Sequence, residues 1–200
     1  MTGRSGAARP PILVLVIGAA FLLLVASLLI GSLTTPEYPA FALSTARPAT
    51  VGDSLVGPGT YTLDASATDR WRRFDFGRNA VADSGVWDLA FRRFRLITAP
   101  GGGIVDLGPV PFDSVVELPA AGYADNTAGP DTTNPAVGKW YAYSMLSHLL
   151  TSKHHVYGVR TPRGKYAKLE LLAYYCQDAG TACITFRYAY QGSGSRRVAP

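Results

Sequence analysis

Three histidines, two cysteines and fourteen carboxylates are the residues of this 200-residue chain best equipped for chemistry, and their spacing limits what that chemistry is. His148 closes the segment Tyr143-Ser144-Met145-Leu146-Ser147-His148, and His154 and His155 open the next alternating run. Two imidazoles from neighbouring segments can clamp a haem iron axially, with Tyr141, Tyr143 and Met145 as an apolar wall. His148 and His154 are therefore the candidate cofactor ligands, and haem is the cofactor they would suit. The plainer role for a histidine at a strand entrance is an edge or surface residue, and no Cys-x-x-Cys-His attachment accompanies these three.

Cys176 and Cys183 stand where one strand pattern ends and the next begins. Cysteines facing each other across a hairpin in an oxidising compartment pair, whereas a metal site would need two more ligands and the loop offers only Asp178. A structural disulfide is expected and a metal site is not. The carboxylates are scattered without an acid/base pair, and there is no nucleophile elbow, His-Glu zinc helix or phosphate loop. Gly101-Gly102-Gly103 lacks a following helix or lysine and reads as a turn. The expectation is a protein that is not an enzyme.

The elements that must position these residues fall into two textures. An uninterrupted apolar run covers Ile12–Leu33. At about 1.5 Å per residue its 22 residues span about 33 Å, enough for a hydrocarbon core of about 30 Å. It exceeds the usual signal-peptide apolar region, which favours an uncleaved anchor. Arg4 and Arg9 before it and Glu37 after it predict a cytoplasmic N-terminus, residues 1–11, in the inner membrane, with the rest of the chain periplasmic. Ala20, Ser27 and Gly31 fall near one line on the helix and let another helix approach closely. Residues 34–59 read as a proline-rich linker, 60–192 as one domain and 193–200 as a tail.

Within the domain, Trp87, Leu89 and Phe91 share one strand face. The parity then flips at Arg92-Arg93, as a bulge or bend would make it do. Residues 104–110 read as a strand and 119–138 as a long loop. The clearest pattern is a three-stranded antiparallel meander. Residues 155–160 turn at 161–164 into 165–175, where Ala167, Leu169, Leu171 and Ala173 face one way and Lys168 and Glu170 the other. Ile184, Phe186, Tyr188 and Tyr190 alternate in the third strand. Only 144–150 looks helical. The fold class is mainly β: one N-terminal transmembrane helix followed by one antiparallel β-sheet domain.

The net charge of +5 comes largely from Arg70, Arg72, Arg73, Arg78, Arg92, Arg93, Arg95, Arg196 and Arg197. Such a surface suits anionic lipid, an acidic partner or a carboxylate-bearing ligand, and most of it reads as a solvated strand face. No nucleic-acid recognition motif is present, and nucleic acid is not an expected partner.

Several segments together resemble the HmuY-like haem-binding domain family. They are Trp87-Asp88-Leu89-Ala90-Phe91-Arg92, Lys139-Trp140-Tyr141-Ala142-Tyr143-Ser144, Val156-Tyr157, Gly164-Lys165-Tyr166-Ala167-Lys168-Leu169, Tyr174-Tyr175-Cys176 and Thr185-Phe186-Arg187-Tyr188-Ala189-Tyr190-Gln191. The resemblance covers about residues 60–192 in the expected order. It implies an all-β fold and, for the founding members, a haemophore holding haem between two side chains. Those members are lipoproteins, whereas this chain has no cysteine before Cys176.

Two functions follow as expectations. In the first, the helix packs among other transmembrane subunits of an inner-membrane complex, photosynthetic or respiratory, and the β domain braces its periplasmic face. The alternative is a membrane-tethered periplasmic carrier of haem or a related tetrapyrrole.

Overall fold

The computed structural model describes residues 11–33, 37–45, 50–178 and 180–199. The chain divides into two units, one ending at Glu37 and one beginning at Tyr38. The first contains α1, Ile12–Leu33, all apolar but for small residues and serine, and long enough to cross a bilayer. The Ser27 hydroxyl donates to Leu24 O at 2.7 Å, so its polar group is satisfied within its own helix. The Cβ position of Gly31 is open.

The second unit is built from strands, because its sequence alternates with period two and breaks at glycine and proline. They are β1 Ala40–Phe41, β2 Leu55–Asp64, β3 Arg72–Asp75, β4 Ala80–Ala82, β5 Leu89–Arg92 and β6 Arg95–Thr98, followed by β7 Gly103–Asp106, β8 Tyr141–Tyr143, β9 Leu150–Ser152, β10 Val156–Arg160, β11 Tyr166–Cys176 and β12 Thr181–Gln191. The large sheet runs β2-β12-β11-β10-β7, and β1 adds in parallel to the far end of β11. A second sheet runs β4-β3-β5-β6, and β8 and β9 form a separate hairpin.

The predicted meander is β10-β11-β12, antiparallel throughout. Cys176 and Cys183 are joined at its end, with their Cα atoms 4.9 Å apart. The alternating residues of β12 meet those of the second sheet in an aromatic core. Phe186 lies 5.2 Å from Phe74 edge-on and 5.4 Å from Phe91 stacked, and Phe76 stacks on Tyr190 at 5.6 Å. All five side chains are buried.

The structure departs from the sequence reading at four points. The parity flip at Arg92-Arg93 is a two-residue hairpin turn between β5 and β6, with Arg92 paired to Arg95 and Arg93 at φ +55°. Residues 144–150 are not helical: Ser144 N donates to Leu149 O at 2.9 Å and closes the β8–β9 hairpin. Seven residues without a cap hold a helix poorly against strand pairing on both sides. The stretch read as linker supplies β1 and the first half of β2, and Ser44 pairs with Thr62. The tail is also tied in, since Val198 is fully buried and donates to Val116 O at 2.8 Å. Lys168 keeps the face opposite Leu169 that the alternation gives it, and it is buried there. Its ammonium donates to Phe112 O at 3.0 Å and Val115 O at 2.8 Å, capping a 3₁₀ turn, Phe112–Ser114, that covers the outer face of the meander.

Candidate ligand cleft

The β8–β9 hairpin projects from the domain and is held at three points. Trp140 Nε1 donates to Phe94 O at 2.9 Å, Leu150 N donates to the Tyr175 hydroxyl at 2.7 Å, and the Ser152 hydroxyl donates to Leu171 O. Between the hairpin, the β5–β6 turn and the end of β11 lies a cleft of about 680 Å³. Tyr141, Tyr143, His148, Leu149 and Leu150 line it from the hairpin, Arg93 and Phe94 from the turn, and Tyr38, Tyr174, Tyr175 and Thr181 from the opposite side. Its size and apolar walls with few polar groups are those of small-molecule sites.

Two local irregularities make this wall. Successive residues of a strand point to opposite faces, so Tyr174 and Tyr175 should not share one surface. The register of β11 against β12 shifts between Leu171 and Ala173 and again between Ala173 and Tyr175. Those irregularities re-aim the strand end and bring both rings to the cleft. At the tip of the hairpin His148 takes a left-handed backbone, φ +56°, with its N–H on Ser144 O at 2.9 Å. Its Nδ1 is hydrogen-bonded to the Tyr143 hydroxyl. With the proton on Nδ1, Nε2 keeps a lone pair, the arrangement by which ligating histidines are fixed.

Arg93 is the one cation lining the cleft. Burial pushes the Tyr174 phenol upward from its usual pKa, and the nearby Arg93 charge partly offsets this. Among the described residues Arg93 has no carboxylate partner. The cleft therefore presents aromatic faces, one imidazole and one guanidinium. It suits a flat, largely apolar ligand with a metal centre and an acidic edge.

The structure does not bring His148 and His154 together. They stand at opposite ends of β9, and His154 lies outside the cleft with its Nδ1 2.9 Å from Glu170 Oε1. His155 is likewise occupied, 2.9 Å from Asp106 Oδ2. Met145, expected in the apolar wall, is 76% exposed at the hairpin tip and does not line the cleft. Tyr38, Phe94, Tyr174 and Tyr175 were missed. The Tyr-Tyr doublet was the available signal, but strict alternation argued against using both rings. Among the described residues no group of three or more His, Cys, Asp or Glu is placed to hold a metal ion.

A second charged cluster escaped the sequence reading. Asp75 and Asp88 are buried and share Arg163, whose Nη2 donates to Asp75 Oδ1 at 2.6 Å and Asp88 Oδ2 at 2.9 Å. Desolvation pushes the Asp88 carboxyl up to about 6, against the pull of Arg163 and the Phe76 N–H. These residues tie the β10–β11 turn to the second sheet.

Residues 67–188 match the HmuY protein family, more than half of the chain. The chain belongs to the HmuY family. Solved structures agree on the fold. The apo HmuY analogue of Tannerella forsythia superposes with a TM-score of 0.58 at 17% identity, covering 69% of this chain and 97% of that one. A Bacteroides vulgatus protein described as HmuY-like and haem-binding gives 0.57 at 20% identity, over 65% of this chain and 90% of that one. A Bacteroides fragilis protein described as a lipoprotein gives 0.54 at 17% identity, over 70% and 93%. No curated protein matches the chain. The HmuY-family fold is therefore present behind an N-terminal apolar helix, which is consistent with an anchor or a signal segment.

Proposed function

We propose that this HmuY-family chain is a membrane-associated haem-binding protein, a binding rather than a catalytic protein. Its β domain takes haem or a related tetrapyrrole in the cleft beside the β8–β9 hairpin. If haem were held there it would supply an iron able to take an imidazole nitrogen, and His148 is the residue that would hold it. Arg93 is placed to meet a carboxylate of the ligand edge, and Tyr38, Tyr141, Tyr174 and Tyr175 supply the flat apolar walls. The observation that carries this reading is a histidine fixed through Nδ1 at the mouth of an aromatic cleft. Membership of the HmuY family supports it. The accessory-subunit reading drawn from Ala20, Ser27 and Gly31 gains no support from the matched proteins.

For placement, α1 anchors the chain in the inner membrane with the N-terminus cytoplasmic and the β domain periplasmic, which the Arg4 and Arg9 charges and the Cys176–Cys183 bridge support. The deciding experiment is haem titration of the full-length protein followed in the Soret region. The expected result is a saturable shifted band that His148→Ala loses and His154→Ala keeps. A flat spectrum in the wild type, or loss in His154→Ala alone, overturns the assignment.

A further inference from the structure

We infer that the outer face of the second sheet carries a site for the phosphate of an anionic lipid headgroup, held by Arg73 and Arg92. This rests on the membrane-anchor part of the proposed function and not on its haem part.

A cleft of about 830 Å³ lies between the segment after β2, the start of β3 and the end of β4. Most charges on it are already matched. Arg72 pairs with Asp83 at 3.1 Å. Asp64 accepts from Ser66, which with Arg72 and Arg70 holds its carboxyl below the usual range. Arg73 and Arg92 differ from these. Among the described residues neither has a carboxylate partner and each lies on an indole, although Arg92 Nη2 also donates to Pro130 O at 3.5 Å. The Arg73 guanidinium carbon is 5.5 Å from the Trp87 ring centre, and that of Arg92 is 4.5 Å from Trp71, which lines the cleft.

A guanidinium stacked on an aromatic ring keeps its remaining edge N–H groups directed outward, and such an edge matches the oxygens of a phosphate. Arg73 pairs with Ala90 across β3 and β5, so Arg92, two residues on, is its diagonal neighbour on the same sheet face. Such neighbours stand about 7–8 Å apart, close enough for two long side chains to converge on one anion. Arg163, Arg187 and Arg196 contrast with this, since each holds a carboxylate.

The chain also limits the source of the phosphate. Four residues, 34–37, separate α1 from Tyr38 in sequence. For a chain held in a bilayer by α1, the phosphates continuously present are those of the lipid headgroups.

The test uses full-length protein in lipid nanodiscs of phosphatidylcholine, with or without phosphatidylglycerol, read by tryptophan emission. Trp71 and Trp87 are half-buried beside the site, and Trp140 is buried as an internal constant. The expected result is a blue shift in anionic discs that added salt reverses. Arg73→Gln with Arg92→Gln loses the shift, the corresponding lysine pair recovers only a minor part of it, and Arg187→Gln keeps it. The glutamine pair leaves the haem titration unchanged, which separates this site from the cleft. Equal emission in the two disc types, an unaltered shift in the glutamine pair, or a response to inorganic phosphate in neutral discs that anionic lipid does not compete with would each overturn the inference.

Discussion

Two aromatic clusters of the β domain use the same residue types to opposite ends. Around Phe186, the rings of Tyr61, Phe74, Phe76, Tyr188 and Tyr190 are sealed between the two sheets, and none is more than 6% exposed. At the other cluster Tyr38, Phe94, Tyr141, Tyr143, Tyr174 and Tyr175 surround a space, and Tyr143 remains 49% exposed. The difference lies in what covers them. The second sheet closes over β12, whereas only a three-residue-stranded hairpin edges the cleft. Aromatic content alone therefore does not tell sealed core from open cleft; the cleft differs in an uncovered face that carries an imidazole and a guanidinium with no carboxylate partner.

The largest effect should come from breaking the sealed cluster. Phe186→Ala removes a fully buried ring that packs on Tyr61, Phe74, Phe91 and Tyr188, and should lower unfolding free energy by about 3–5 kcal/mol in urea titration. A loss no greater than that of an exposed cleft residue would show that the two clusters do not differ as described. Next in size is the bridge beside the cleft. Replacing Cys176 and Cys183 by alanine should cost about 2–3 kcal/mol for this short loop. It should also weaken haem binding, because Tyr175 and Thr181 adjoin the bridge and line the cleft. Unchanged haem affinity after a measured loss of stability would uncouple the two.

What could be read from the residues follows the same division. The meander was legible because Ala167, Leu169 and Leu171 on β11 and Ile184, Phe186 and Tyr188 on β12 keep strict period two, and the disulfide was legible from the position of its cysteines. The cleft was less so. The β5–β6 turn has Arg93 in a left-handed conformation where an Asn-Gly signal would be expected, so its hairpin read as a bulge. The Tyr174–Tyr175 wall needs two register shifts that no local pattern announces. The burial of Lys168 could not be read locally, because the carbonyls that receive it belong to residues 53 and 56 positions away. His148 was singled out for its chemistry and lines the cleft, but its hydrogen-bond partner Tyr143 was read only as wall.

A smaller effect tests how the two sheets are tied at the Asp75–Asp88–Arg163 cluster. Asp88 has its carboxyl raised from 3.8 to about 6 on folding, chiefly by desolvation. A raised carboxyl favours the protonated folded form. Its contribution to stability is therefore complete below about 3.8 and is lost as pH rises through about 6. Asp88→Asn mimics the neutral group at every pH. Wild-type stability should thus fall relative to Asp88→Asn across that window and run parallel to it above. Urea midpoints that stay parallel throughout would mean that Asp88 is not the group responsible.

The smallest effect on stability, and the sharpest on the cleft, is Tyr143→Phe. The substitution keeps the ring and deletes the hydroxyl that meets His148 Nδ1. Both residues are exposed, so stability should stay within about 0.5 kcal/mol of wild type. Losing one hydrogen bond of about 1 kcal/mol should weaken haem binding about five-fold, short of the complete loss expected for His148→Ala. If Tyr143→Phe instead abolishes the Soret shift while His148→Ala only weakens it, the roles are exchanged. Tyrosine also ligates haem iron, so His148 would then be the group that orients and deprotonates Tyr143. The two variants measured together therefore decide which member of the pair faces the metal, a distinction that never arises in the closed cluster, where the Tyr188 hydroxyl is spent on Asn79 Oδ1.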